Sequence, residues 1–80
     1  MNHTEAIKLI MKQSGLEQGD IAERIGIART SVTMRINRKR ARLYNIVELL
    51  DAMGYEMVAM PRNRVPLPKD TYAISREDYL

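Results

Sequence analysis

The chain has 80 residues, a formal net charge of +3 at neutral pH, and no cysteine, phenylalanine or tryptophan. A chain of this length forms one small domain, and 45% hydrophobic residues are too many for a disordered polymer. Without cysteine there is neither a disulfide nor a thiolate metal site, so we expect an aliphatic core filled with methionine.

The first predicted helix covers residues 4–14, where apolar side chains recur at helical spacing. Asn2 or Thr4 can cap its N-terminus, because a short polar side chain accepts hydrogen bonds from the free amides of the first turn. Gly15 is expected to end the helix, since glycine adopts a positive φ without steric cost.

Two short helices are predicted next, at residues 18–25 and 29–37, with a tight turn at Gly26 between them. Two short helices joined by a turn that carries a glycine are typical of a helix-turn-helix. In that motif the first helix crosses the phosphate backbone and holds the second in the major groove, where its outward side chains meet base edges.

A fourth helix is predicted at residues 43–53, and the helical pattern stops at Gly54. Residues 55–60 favour a short strand, because their tyrosine, valine and methionine side chains suit a pleated surface. The segment 61–80 contains three prolines and is predicted to be a tail, extended or partly ordered, with an extended piece at 71–74. We therefore divide the chain into a domain at residues 1–60 and this tail.

Basic residues are concentrated in the second half of the helix-turn-helix and in the loop after it. The stretch from Arg24 to Val47 contains no aspartate or glutamate. Its basic residues are Arg24, Arg29, Arg35, Arg38, Lys39, Arg40 and Arg42. Positive charge segregated in this way indicates a polyanionic partner.

Four stretches within residues 5–60 share their pattern with a known family, namely Gly15–Gln18, Asp20–Ile27, Val32–Arg40 and Leu50–Val58. In these stretches the sequence resembles the Xre/Cro/cI-type repressor family. The resemblance implies a mainly α fold, a lambda-repressor-like helix-turn-helix domain of about four helices with a short C-terminal strand used for dimerisation. Its expected partner is double-stranded DNA.

The resemblance also implies a role for individual side chains. The positions that face bases in the family are Arg29, Thr30, Thr33 and Met34. The positions near phosphates are Gln18, Ser31, Asn37, Arg38, Lys39 and Arg40. An arginine such as Arg29 can pair with guanine O6 and N7, and Met34 can pack on a thymine methyl or lie at the edge of the core.

Three positions depart from the family pattern. Ala28 stands where serine or threonine normally caps the recognition helix, which removes about 1 kcal/mol of stabilisation. Glu17 replaces the usual cap of the preceding helix and would be unfavourable near DNA unless it faces away. Arg38 replaces a glycine after Asn37, so a positive φ there would be strained unless Asn37 takes the left-handed position instead.

The strand candidate carries the prediction of a homodimer. Its proposed interface residues are Tyr55, Met57, Val58 and Met60. A strand without a partner in its own chain invites an identical strand across a two-fold axis. In the alternative, residues 55–60 pair within the chain with residues 71–74, and the fourth helix forms the interface.

The resulting functional hypothesis is a transcriptional repressor or Cro-like regulator, of phage or bacterial origin, that binds a palindromic operator. The alternative is a DNA-binding antitoxin that sequesters a toxin through residues 61–80. No catalytic set, cofactor motif or metal cluster is recognisable, so an enzyme is not expected. No apolar run has the length of a membrane span, and we expect a cytoplasmic protein without cofactor or metal.

Overall fold

The computed structural model describes residues 1–62 and 71–80. Its helices are α1 (His3–Ser14), α2 (Gln18–Ile25), α3 (Arg29–Asn37) and α4 (Leu43–Ala52). Two short strands, β1 (Met57–Ala59) and β2 (Tyr72–Ile74), are followed by a 3-10 helix at Arg76–Tyr79. The four predicted helices and the mainly α fold class are confirmed, with helix ends that differ by no more than a residue. Pro66 and Pro68 of the predicted tail lie outside the described residues.

Helix α1 begins one residue before its predicted start and ends at the predicted residue. The side chain of Asn2 accepts a hydrogen bond from the backbone N–H of Glu5 at 2.9 Å, so Asn2 is the N-cap. Gly15 has a φ of 68°, in the left-handed region, and its N–H donates to the carbonyl of Met11. Thr4, the other candidate cap, makes a tertiary contact instead.

The core is aliphatic and receives side chains from all four helices. The buried hydrophobic residues are Ile7, Ile21, Ala22, Val32, Ile36, Ile46, Val47, Leu49, Leu50 and Met53. The methionines are divided between core and surface: Met53 is buried and Met11 packs against the core, whereas Met34 and Met60 are exposed. None of the helices in the described ranges is long and apolar enough to cross a membrane.

Strand β1 is paired within the chain. Met57 lies opposite Ile74, and Ala59 opposite Tyr72, in an antiparallel ladder. The expectation that this strand has no partner in its own chain is therefore wrong, and the alternative pairing with residues 71–74 is confirmed. The physical reason is that β2 offers Tyr72 and Ile74, which suit a strand, and that the connection between the strands is long enough for the chain to return. The dimer interface itself stays a prediction.

The described part of the C-terminal segment lies against α4. The ring of Tyr79 meets the ring of Tyr44 edge to face, with centroids 5.9 Å apart. The Nε of Arg76 lies 3.5 Å from a carboxylate oxygen of Glu48, which is also in α4. The division of the chain at residue 60 stays a prediction. Residues 71–80 nevertheless contact the helical domain through Arg76 and Tyr79.

Candidate nucleic-acid interface

Helix α3 has one buried face and one exposed face. Val32 and Ile36 point into the core and are fully buried. Arg29 and Thr30 are exposed at the first turn, and Met34, with 57% of its surface accessible, follows one turn later. Three of the four predicted base-contact side chains are therefore exposed on one face of the helix.

The intrinsic stability of α3 is low. No side chain caps its N-terminus at Ala28, as the departure from the family pattern predicts. At its C-terminus Arg38 has a φ of −67° and extended backbone, so the positive φ considered in the sequence analysis does not occur and Arg38 is not strained. A helix of nine residues with two buried side chains depends on contacts with its neighbours.

Polar contacts from α1 and α2 supply part of that support. The hydroxyl of Thr4 donates to the backbone carbonyl of Ile36 at 2.6 Å, which satisfies a carbonyl in the last turn of α3. The hydroxyl of Thr33 donates to the side-chain oxygen of Gln18, at the start of α2. The first bond joins the last turn of α3 to α1, and the second joins α3 to the start of α2.

The bond between Thr33 and Gln18 changes what each side chain can offer to DNA. Thr33, the fourth predicted base contact, is half-buried, and its hydroxyl proton is already used within the protein. A threonine hydroxyl retains acceptor lone pairs, so it can still accept from a base. Gln18 accepts through its oxygen and keeps its amide N–H groups, which are the donors that a phosphate requires.

The loop after α3 presents basic side chains next to the exposed face. Arg38, Lys39 and Arg40 are all exposed. Asn37 is exposed too, and its side-chain amide donates to the carbonyl of Thr33 at 3.0 Å. That bond closes the last turn of the helix and fixes the start of the loop.

The basic residues fall into two groups, which the charge pattern alone did not distinguish. Arg24 donates to the carbonyl of Ala52 at 2.8 Å, at the C-terminal end of α4, where a cation is favourable. Arg35 donates to Glu48 at 2.6 Å. The remaining basic residues of the stretch, Arg29, Arg38, Lys39, Arg40 and Arg42, are exposed.

Glu48 is a buried carboxylate that the sequence analysis missed. One of its oxygens accepts from Arg35, and the other accepts from the hydroxyl of Tyr44 at 2.8 Å. Burial alone would raise the pKa of Glu48, but the hydrogen bonds from Arg35 and Tyr44, the charge of Arg35 and a weaker hydrogen bond from Arg76 hold the pKa below its usual value. A glutamate within the apolar pattern of α4 was the available signal.

A shallow groove lies between α3 and the start of α4. It is lined by Ser31, Met34, Arg35, Arg38, Ala41 and Asn45. Ser31 is half-buried and lines this groove, and its contact with the DNA backbone stays a prediction. Asn45 was not singled out from the sequence, because its place beside α3 depends on how α4 packs.

Comparison with known families identifies the same region. The family model described as Helix-turn-helix matches residues 7–59, which include most of α1, the whole of α2, α3 and α4, and strand β1. No match is found among curated proteins or among solved structures.

Proposed function

This chain belongs to the helix-turn-helix family of Xre/Cro/cI-type regulators, whose members bind DNA and regulate transcription, and we propose that it is a repressor or Cro-like regulator acting on a palindromic operator as a homodimer. The observation that carries the proposal is the exposed face of α3, bordered by the basic loop. An exposed helix face with arginine, threonine and methionine next to a cationic loop matches a recognition helix and its phosphate contacts.

The proposed contacts follow from the donors that remain available. Arg29 can form a bidentate pair with a guanine, and the thioether of Met34 can lie against a thymine methyl. Gln18, with its free amide N–H groups, and the loop from Asn37 to Arg40 are proposed to hold the backbone. Phosphate contacts of this kind set the orientation of the recognition helix but carry no sequence information.

Selection of bound sequences from a random pool of duplexes tests the function. We expect enrichment of a site with two-fold symmetry and half-sites about one helical turn apart. A matched pool of single-stranded RNA serves as the control, since RNA readers rely on stacking aromatic side chains that α3 lacks. Failure to enrich any duplex, or preferential enrichment of RNA, would contradict the proposal.

Exposed apolar side chains on the β1–β2 ribbon support the proposed dimer. Val58 is 52% exposed, Met60 61% and Tyr72 68%, and Tyr55, in the connection between α4 and β1, is 45% exposed. Met57 is half-buried against the core, so its side chain attaches the ribbon to the domain and contributes less to the exposed surface. Tyr72 lies opposite Ala59, so it is on the other face of the ribbon from Val58. Large apolar side chains exposed on a small domain favour contact with a partner. Two recognition helices would also explain tight binding better than one.

Replacing Val58 with aspartate tests the ribbon as the interface. We expect the unmodified protein to sediment as a dimer at low micromolar concentration and Val58→Asp as a folded monomer, because charge on an apolar interface is poorly solvated. Weaker binding to the enriched duplex should accompany the change. Leu9→Asp is the matched control, since Leu9 is also exposed but lies on α1. A Val58→Asp variant that remained dimeric would rule out this interface and favour α4.

The antitoxin alternative is not adopted. It requires residues 61–80 to dock on a toxin, whereas the described part of that segment packs against α4 of its own chain. The ordinary repressor needs no such docking segment.

A further inference from the structure

A continuous path of polar contacts joins the C-terminal segment to the proposed recognition helix. Arg76 lies 3.5 Å from one carboxylate oxygen of Glu48, and Arg35 donates to the other oxygen at 2.6 Å. Tyr44 donates to the same oxygen that faces Arg76, and the ring of Tyr79 packs on the ring of Tyr44. Elements that are far apart in the chain therefore meet at a single carboxylate.

The side chain of Glu48 is held in place, so a shift of one of its partners should affect the positions of the others. Only 9% of its surface is exposed, and each of its oxygens has a hydrogen-bond donor. A buried carboxylate without its partners would be costly, so the side chains around it have little freedom to move independently. Moving Arg76 away removes one of the cations that neutralise Glu48 and leaves Arg35 and Tyr44 to rearrange.

Arg35 occupies the side of α3 that faces α4, between the buried face and the groove. Consecutive side chains are about 100° apart around a helix, so Met34 is the next position around α3 from Arg35. A small rotation of α3 about its axis would therefore displace Met34 and the other exposed side chains together. The buried side chains of Val32 and Ile36 restrain this rotation, as do the bonds from Thr4 to Ile36 and from Thr33 to Gln18. The bond between Arg35 and Glu48 adds a restraint on the side of α3 that faces α4.

We propose that the C-terminal 3-10 helix acts as a strut, in which Arg76 and Tyr79 fix Glu48 and Tyr44 and thereby hold Arg35 and the orientation of α3. Arg76 and Tyr79 are positioning residues, because they contact Glu48 and Tyr44 of α4 and affect DNA recognition only through the orientation of α3. The inference rests on the proposed function for its effect on DNA binding, but the mechanical coupling can be measured in the free protein.

The test uses the full chain with Arg76→Met, and Arg62→Met as the matched control that removes the same charge from an exposed position. Affinity is measured for the duplex enriched by selection and for a random duplex. Arg76→Met should weaken binding to the enriched duplex by about two- to fivefold more than binding to the random one. Arg62→Met should change both affinities by the same factor. Equal effects of the two variants would overturn the strut.

Combination with Glu48→Gln locates the coupling. If Arg76 acts through Glu48, Arg76→Met should cause no further loss in the Glu48→Gln background, because the carboxylate that it neutralises is gone. An undiminished effect in that background would overturn the proposal and indicate direct contact between Arg76 and phosphate.

Amide hydrogen exchange without DNA separates this inference from the proposed function. We expect faster exchange in the last turn of α3 in Arg76→Met than in Arg62→Met, since local opening follows lost tertiary support. If the unmodified protein distinguished no duplex from another, the proposed function would fail, yet faster exchange in Arg76→Met alone would still support the strut. Unchanged exchange would overturn it.

Discussion

Replacing Arg29 with alanine is expected to weaken binding to the preferred duplex by about 1–3 kcal/mol and to relax the preference at one base pair of each half-site. Arg29 is exposed in the first turn of α3, where a guanidinium can reach the edge of a guanine. Folding should be unaffected, because the side chain is outside the core. Competition among duplexes that differ at single positions measures both effects.

Lys39→Ala is the matched control for that substitution. Lys39 lies in the exposed loop after α3 and is proposed to contact phosphate. Its removal should weaken binding to all duplexes alike and reduce the salt dependence by about one ion per subunit. If Lys39→Ala changed the sequence preference while Arg29→Ala left it intact, the proposed orientation of α3 would be wrong.

Ile36→Ala is expected to lower the free energy of unfolding by about 2–5 kcal/mol. Ile36 is fully buried, and it is one of only two core side chains that α3 contributes. Total stabilities of small domains are typically about 5–15 kcal/mol, so this loss would leave a large unfolded fraction. Denaturant titration followed by circular dichroism measures the change.

Met34→Ala, on the same helix, provides the contrast. With 57% of its surface exposed, Met34 should contribute little to folding, so the unfolding midpoint should move only slightly. Affinity for the preferred duplex should nevertheless decrease. A strong destabilisation by Met34→Ala without an effect on DNA would assign Met34 to the core, the other interpretation that the sequence left open.

The helices were predictable because their signals are local. Asn2 and Gly15 mark the ends of α1, and Gly26 marks the turn, through side-chain size and backbone freedom that act within a few residues. The exposed face of α3 was predictable for the same reason, since Val32 and Ile36 define its buried face by spacing alone.

The contacts that tie the elements together were less predictable. The sequence offered the pairing of β1 with Tyr72–Ile74 only as an alternative, because the choice depends on how the chain returns, which no local pattern encodes. Similarly, Arg24 and Arg35 look like members of one basic stretch in the sequence, and only tertiary packing assigns them to Ala52 and Glu48. Charge patterning gives the sign of a surface but not which cations already have a hydrogen-bond partner within the protein.

The bond from Thr4 to Ile36 and the ion pair from Arg76 to Glu48 also have a consequence for the order of folding. Each closes a long stretch of chain, and loop closure costs entropy before the contact stabilises anything. The helices and their near-neighbour packing can form quickly, as in other helical domains with mostly local contacts. During synthesis Arg76 emerges from the ribosome after all four helices, so α3 would acquire its final orientation only after the segment that carries Arg76 has been made. A nascent or proteolytically shortened chain could then be compact and helical before it is able to read an operator.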